Sequence, residues 1–231
     1  MKRQILQKEI KNINSWIFDL DDTLYPPSNE IYSQMAERIR NYIMRVLDID
    51  EETATTVQKT YYKKYGATVH GLMVEHNIQP EDFTDYVHDL DLSSIRENPQ
   101  LKACLQALPG KKHVFTNGAY HHAERVLKRL NIYDCFSGIF SIREAEYVPK
   151  PAEQTYLKMM KTFNVTPQKS MMFDDSPVNI LAAKKVGLRT VWISSNVVNN
   201  KYCSVDSKDF CDYETPDLTD FLSSLVLEKS A

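Results

Sequence analysis

No apolar run in the 231 residues approaches the ~20 needed to cross a bilayer, so a membrane-spanning helix is not expected. Met1–Asn14 is charged and lacks an apolar h-region, which argues against a secretory signal there. Cysteine is sparse. Cys104, Cys135, Cys203 and Cys211 are scattered, with no C-x-x-C pair. That spacing argues against a disulfide framework or a zinc site and fits reduced thiols in the cytoplasm. Neither charge sign dominates: 28 Lys and Arg face 31 Asp and Glu, a net charge of −3. A global field that would draw the chain to nucleic acid or a membrane surface is therefore missing. Internal repeats and low-complexity stretches are also absent. What remains is ordinary globular composition, 42% hydrophobic and 26% charged. The length allows a sizeable core in one large domain or two small ones.

Against that background one stretch is unusual: Trp16-Ile17-Phe18-Asp19-Leu20-Asp21-Asp22-Thr23-Leu24-Tyr25. Three large apolar residues have the composition of a buried strand. Three carboxylates then fall within four positions, where that strand should end. Side chains two apart in an extended chain point the same way, so Asp19 and Asp21 are expected to share a face, with Thr23 next on it and Asp22 turned away. Carboxylates held so close repel and raise each other's pKa values. A divalent cation would relieve this, and an all-oxygen site suits Mg²⁺ rather than zinc. A solvated Asp-rich turn is the plain alternative. A calcium loop is not, because such a loop needs Gly at its sixth position and Leu24 stands sixth from Asp19.

Strand signal is nearly absent from Tyr25 to about Leu108. Pro26 and Pro27 break the first strand, and Ser28 is placed to cap a helix carrying Ile31, Met35, Ile39, Tyr42, Ile43 and Val46 at helical spacing. Glu51–Tyr65 reads as a second helix ended by Gly66. Shorter helices are expected over Val69–His76, Pro80–Leu90 and Leu101–Leu108. The rhythm then changes. Strands at Lys112–Thr116, Gly138–Ser141, Ser170–Phe173 and Thr190–Ile193 alternate with helices at Ala119–Leu130, from Pro151 onward, and from Ser176 to Gly187. Ser194–Asp212 reads as an exposed loop and Leu218–Leu227 as a closing helix. Alternation of this kind predicts an α/β fold with a parallel, Rossmann-like sheet. The helical stretch interrupts it. The expected division is a core of residues 1–24 and 100–231, with residues 25–99 inserted as an α-helical cap.

Four short elements stand at or near the expected strand ends: Asp19 to Thr23, Thr116-Asn117-Gly118, Lys150-Pro151 and Asp174-Asp175. In parallel α/β sheets the ligand crevice lies outside the carboxyl ends of the strands. Together they form the parts of a phosphoryl-transfer site: an attacking carboxylate, carboxylates for a metal, and a hydroxyl, backbone N–H groups and a lysine for phosphoryl oxygens. Taken singly, Thr116 is a strand end, Lys150 a surface lysine and Asp174 a cap partner of Ser176. Their joint occurrence in this order is specific.

With Asp-x-Asp-x-Thr, Thr-Asn, Lys-Pro and Asp-Asp in order, the chain resembles the haloacid dehalogenase superfamily of phosphohydrolases over nearly its whole length. Tyr61-Tyr62-Lys63-Lys64-Tyr65-Gly66 followed by Gly71-Leu72, and Phe173 to Ser176 followed by Asn179-Ile180, resemble the pyrimidine 5′-nucleotidase branch. The resemblance implies a Mg²⁺-dependent phosphomonoesterase acting on a small phosphate ester, foremost a nucleoside monophosphate such as UMP or CMP. It implies Asp19 as nucleophile and Asp21 as acid and base. The Mg²⁺ would sit on the Asp19 carboxylate, the Asp21 carbonyl and Asp175, with Asp174 assisting directly or through water. Thr116 and the amide of Asn117 or Gly118 would hold the phosphoryl group, and Lys150 would steady it and Asp19. Asp21 also argues against the dehalogenases, which lack this acid/base and the metal. Tyr62, off the Val57 face of its helix, is a candidate for stacking on a base, whereas Tyr61 and Tyr65 are expected to pack. His121 and His122 are expected to be structural or surface residues. Sugar, pyridoxal or glycolate phosphatases and phosphomutases are the enzymatic alternatives. A phospho-accepting receiver module is the non-enzymatic one, against which the length, the inserted cap and the late position of the paired acids count.

Overall fold

The computed structural model describes residues 12–194 and 210–226. The expectations for Met1 to Lys11, for Cys203, for most of the Ser194–Asp212 loop and for Leu227 lie outside the described residues. Six strands form one parallel sheet in the order β3-β2-β1-β4-β5-β6. They are β1 (Ser15–Phe18), β2 (Lys111–Phe115), β3 (Gly138–Phe140), β4 (Ser170–Asp174), β5 (Arg189–Ile193) and β6 (Tyr213–Thr215). The α/β reading holds. The strand β6 is additional: its three residues pair with β5 at the sheet edge, too short to leave a periodic signal.

The sheet is buried on both faces because successive side chains point to opposite sides. Trp16, Phe18, Val114, Met171 and Phe173 face one apolar cluster. It is covered by α5 (Pro99–Ala107), α6 (Tyr120–Arg129) and α9 (Leu218–Val226). Ile17, Phe115, Phe140 and Met172 face the other, covered by α7 (Glu153–Phe163) and α8 (Pro177–Lys185). Phe18 stacks on Phe173 with ring centres 4.7 Å apart, a contact worth roughly 0.5–1.5 kcal/mol beyond burial. It ties β1 to β4 directly beneath the ends where the carboxylates follow.

Between β1 and α5 lie α1 (Asn29–Leu47), α2 (Glu51–Tyr65), α3 (Thr68–His76) and α4 (Pro80–Val87). Ser28 Oγ accepts the Ile31 N–H at the start of α1, and Gly66 ends α2 at φ 77°. These four helices have an apolar cluster of their own, built on Tyr42, Ile43, Ala54, Val69, Leu72, Phe83 and Val87. It meets the rest of the chain at Ile142 and Tyr147, in the loop after β3. Gly71 lets α3 approach α2, since a Cβ there would stand 2.5 Å from Tyr61 Cγ. Among the described residues no helix is long and apolar enough to cross a membrane.

Two local expectations need correction. Pro151 does not open a helix; α7 begins at Glu153 after the N-cap Ala152. Ser176 takes the N-cap position of α8, but its side chain makes no capping bond. Instead Asp174 Oδ1 accepts the Ser176 N–H at 2.9 Å.

Candidate active site

Strand register assembles the site. Phe18 lies opposite both Val114 and Phe173, so the next residues along, Asp19, Phe115 and Asp174, stand level at three neighbouring strand ends. The Asp19 N–H donates to the Phe173 carbonyl at 2.9 Å, continuing the ladder by one residue. Connections leave β1 towards β2 on one side and return to β4 on the other, which is the switch point where α/β sheets place their ligand crevices.

Lys150 reaches this point from the loop before α7 and is 2% exposed. Its ammonium donates to Asp19 Oδ1 at 2.8 Å, Asp174 Oδ2 at 2.7 Å and the Phe115 carbonyl at 2.9 Å. All three of its protons are thereby used. Asn117 holds the loop in place, accepting the Lys150 N–H at Oδ1 and donating to the Lys150 carbonyl through Nδ2. Asp174 is saturated as well: besides Lys150, Asn179 Nδ2 and the Ser176 N–H donate to it. Asp174 thus bonds the backbone just ahead of α8 and also holds the lysine.

Asp19, Asp174 and Asp175 bring carboxylate oxygens within 4.8 Å of one another. Burial pushes the Asp19 carboxyl up; Lys150 opposes this, and the charges of Asp174 and Asp21 add to it. Burial pushes Asp175 up too, reinforced by Asp174, Asp19 and Asp22. Among the described residues no side-chain hydrogen bond reaches the Asp175 carboxylate. Lys150 is one cation against three gathered carboxylates. A hard divalent ion with oxygen ligands fits this surplus of negative charge.

The chain does not stay extended past Leu20. The Leu24 N–H donates back to the Leu20 carbonyl at 2.9 Å, and Asp22 adopts φ 60°. Alternation therefore does not govern Asp21 to Thr23. It does not set where Asp22 points, and the Asp22 charge lies close enough to add to the upward push on Asp175 and Tyr25. Thr23 Oγ1 is buried with no partner among the described residues. The turn carries the Asp21 carboxylate to Tyr25 and His122 instead of into the three-carboxylate group. Tyr25 donates to Asp21 Oδ1 at 2.5 Å, and His122 Nε2 lies 2.9 Å from the same oxygen. Burial pushes Asp21 up, but the charge and hydrogen bond of His122, with Tyr25, outweigh it and bring the carboxyl down to about 2.

Thr116 follows β2 and is 2% exposed. Its Oγ1 accepts the Gly118 N–H at 2.9 Å, leaving its own proton to donate elsewhere. The Asn117 N–H has no acceptor among the described residues. Tyr62 lies on the open side of α2, 59% exposed. Tyr61 packs against Gly71 and bonds His76. His121 pairs with Asp85 at the surface.

His122 falls on the structural side of its expectation, but the sequence does not foresee its bond to Asp21. His122 is fully buried. Its ring lies 5.0 Å from that of His88, which follows α4. A signal existed: His122 precedes Val126 by four on the buried stripe of α6, so a polar residue stood on an apolar face.

The family model for haloacid dehalogenase-like hydrolases matches residues 13–187. A glyceraldehyde 3-phosphate phosphatase of Pyrococcus furiosus is 28% identical over 96% of this chain and 97% of its own. One from Pyrococcus abyssi is 30% identical over 76% of this chain and 79% of its own. Among solved structures, a HAD phosphatase from Thermococcus onnurineus superimposes with a TM-score of 0.62 at 18% identity, covering 90% of this chain and 96% of that one.

Proposed function

We propose a function on the premise that the chain belongs to the haloacid dehalogenase-like hydrolase family: it is a phosphatase of small phosphate esters that works through a phosphorylated Asp19. The observation that carries this reading is the strand-end group itself, with Asp19 bonded to a buried Lys150 and a second carboxylate, Asp21, held nearby by separate donors. The relatives named as glyceraldehyde 3-phosphate phosphatases support a substrate of that size.

In the first half-reaction an Asp19 oxygen bonds to phosphorus while the bond to the ester oxygen breaks. Asp21 supplies the proton that the departing oxygen needs. In the second half, Asp21 takes a proton from water, whose oxygen bonds to phosphorus as the Asp19–phosphorus bond breaks. Asp21 favours the carboxylate, which suits the second half. The dianionic ester of the first half raises the carboxyl's pKa and so favours the acid form there. Thr116 Oγ and the Asn117 N–H are the donors placed for phosphoryl oxygens, with Gly118 completing the loop. Lys150 balances the charge of Asp19. Asp19, Asp175 and the Asp21 carbonyl would hold Mg²⁺, with Asp174 beside them; the chemistry it would supply is neutralisation of charge on the phosphoryl group.

Residues 25–99 serve as the cap in this reading. The separate apolar cluster of α1–α4 supports that. Closure of such a unit sequesters substrate and sets specificity. A second reading, a pyrimidine 5′-nucleotidase, rests on the Tyr61–Gly66 and Gly71-Leu72 segments and on Tyr62 as a stacking surface. Part of that pattern has an architectural cause, because Gly71 is needed against Tyr61 and Gly66 ends α2 at φ 77°, a left-handed backbone that favours glycine. The test is a phosphate-release screen with Mg²⁺ over glyceraldehyde 3-phosphate, UMP, CMP, sugar phosphates, pyridoxal phosphate and phosphoglycolate. Preference for the triose phosphate supports the first reading, preference for UMP or CMP the second. No release from any ester, with Mg²⁺ present, contradicts both.

A further inference from the structure

We propose that His122 and Tyr25 are positioning residues for Asp21: they pin its Oδ1 from two sides and leave Oδ2 as the oxygen that passes the proton. The inference rests on the phosphatase reading above. Both donors converge on Oδ1, Tyr25 at 2.5 Å and His122 at 2.9 Å. Among the described residues no donor reaches Oδ2, and the Asp21 side chain keeps 32% of its surface open. A carboxylate with one oxygen held twice and the other open cannot rotate without breaking two bonds. Orientation of this kind converts a mobile acid into one aimed at the reacting atom.

His122 has little other reason to be polar. Its side chain is fully buried, and its Nδ1 has no partner among the described residues. Its polar link is therefore the bond to Asp21. His88, against which it lies, bonds the Thr84 carbonyl through Nδ1. A carbonyl only accepts, so His88 carries its proton on Nδ1. Burial and His122 hold His88 down to about 3, which keeps it neutral, so it adds no competing charge. Asp21 as a carboxylate accepts only, which assigns the shared proton to His122 Nε2. Arg125, one turn further along α6, donates to the His88 and Leu90 carbonyls. The chain entering α1 at Tyr25 and the chain leaving α4 at His88 are thus both anchored around this one carboxylate. A bland alternative is that Asp21 merely satisfies a buried histidine and gains nothing in return.

The two accounts part on leaving-group dependence. Phenyl phosphate and p-nitrophenyl phosphate have nearly the same shape, but phenolate needs a proton far more than nitrophenolate. Single-turnover and steady-state kinetics with Mg²⁺ would be measured for His122→Leu, His122→Gln and Tyr25→Phe, each alone and combined with Asp21→Asn. His122→Leu should lower the single-turnover rate of phenol release by roughly 10–100-fold and that of nitrophenol release several-fold less, both rates being read before the shared second half-reaction. His122→Gln, which keeps a donor at similar reach, should recover most of the loss. In the Asp21→Asn background His122→Leu should add nothing. Equal losses on both esters, no recovery by Gln, or a full further loss without Asp21 would overturn the proposal. Should His122→Leu fail to fold by thermal melting, Tyr25→Phe carries the test alone, and an unchanged phenyl-to-nitrophenyl ratio would overturn the proposal. Failure of the underlying reading is distinct: Asp19→Asn would then release nitrophenol as fast as the parent.

Discussion

Two lysine–carboxylate contacts of nearly equal length sit in opposite parts of this molecule. Lys150 meets Asp19 at 2.8 Å at the sheet ends, with side chains 1% and 12% exposed. Lys64 meets Glu75 at 2.7 Å between α2 and α3, with side chains 59% and 38% exposed. Distance alone would rank them together. Water separates them: the exposed pair exchanges solvent for a partner at little net gain, whereas the buried ammonium is already desolvated and depends on its acceptors. The same contrast runs through both regions. At the strand ends the bonds run between elements: Lys150 to Asp19 and Asp174, and Asp21 to His122. On α2 and α3, Tyr61, Lys64, Tyr65, Glu75 and His76 bond one another at the surface. The first arrangement holds its groups in fixed positions, and the second leaves them open to water.

The largest effect is expected from Asp19→Asn. It removes the proposed nucleophile while preserving size, so turnover should fall by roughly 10⁴-fold or more. Substantial residual turnover, read as phosphate release, would remove Asp19 from that role. Next comes Asp175→Ala, motivated by three carboxylates within 4.8 Å. Activity at limiting Mg²⁺ should be mostly lost and partly restored as the ion is raised, and excess EDTA should silence the parent protein. Full activity in EDTA would refute the metal assignment.

A direct break of the comparison is Lys150→Met beside Lys64→Met. The first leaves buried carboxylates facing each other and should cost about 3–5 kcal/mol in urea unfolding. The second should leave the unfolding midpoint where it is. Equal shifts would show that burial does not separate the two pairs. Smallest of all is Tyr62→Ala. With Tyr62 59% exposed, stability should hold, and the kcat/KM ratio between UMP and glyceraldehyde 3-phosphate should move a few-fold only if that ring meets the base. An unchanged ratio assigns Tyr62 to the surface.

What the sequence made legible was local. Trp16-Ile17-Phe18 reads as a buried strand because its apolar side chains serve both faces, and Asp19 and Thr116 follow strands, and Asp174 ends one, whose ends must lie together in a parallel sheet. Lys150 was legible through its place before Pro151, although the helix there starts two residues later than Pro151 suggested. Other parts depend on contacts distant in the chain. Asp21 lies where it does because the Leu24 N–H turns back to Leu20, which strand alternation does not foresee. His122 and His88 are 34 positions apart in numbering and meet only once α4 and α6 pack. The Tyr213–Thr215 strand is held by its pairing with β5, which three residues do not announce.

The two-step use of Asp21 is tested most directly by a pre-steady-state measurement on Asp21→Asn with p-nitrophenyl phosphate. The substitution keeps the backbone carbonyl and removes the acid/base, a change typically worth ~10²–10⁴-fold. Nitrophenolate leaves without a proton, so Asp19 should still be phosphorylated and then stall for want of a base. The account predicts a burst of nitrophenol near one equivalent per protein followed by slow turnover, with no burst from Asp19→Asn. Turnover by Asp21→Asn at the parent rate on both p-nitrophenyl phosphate and an alkyl ester would contradict it.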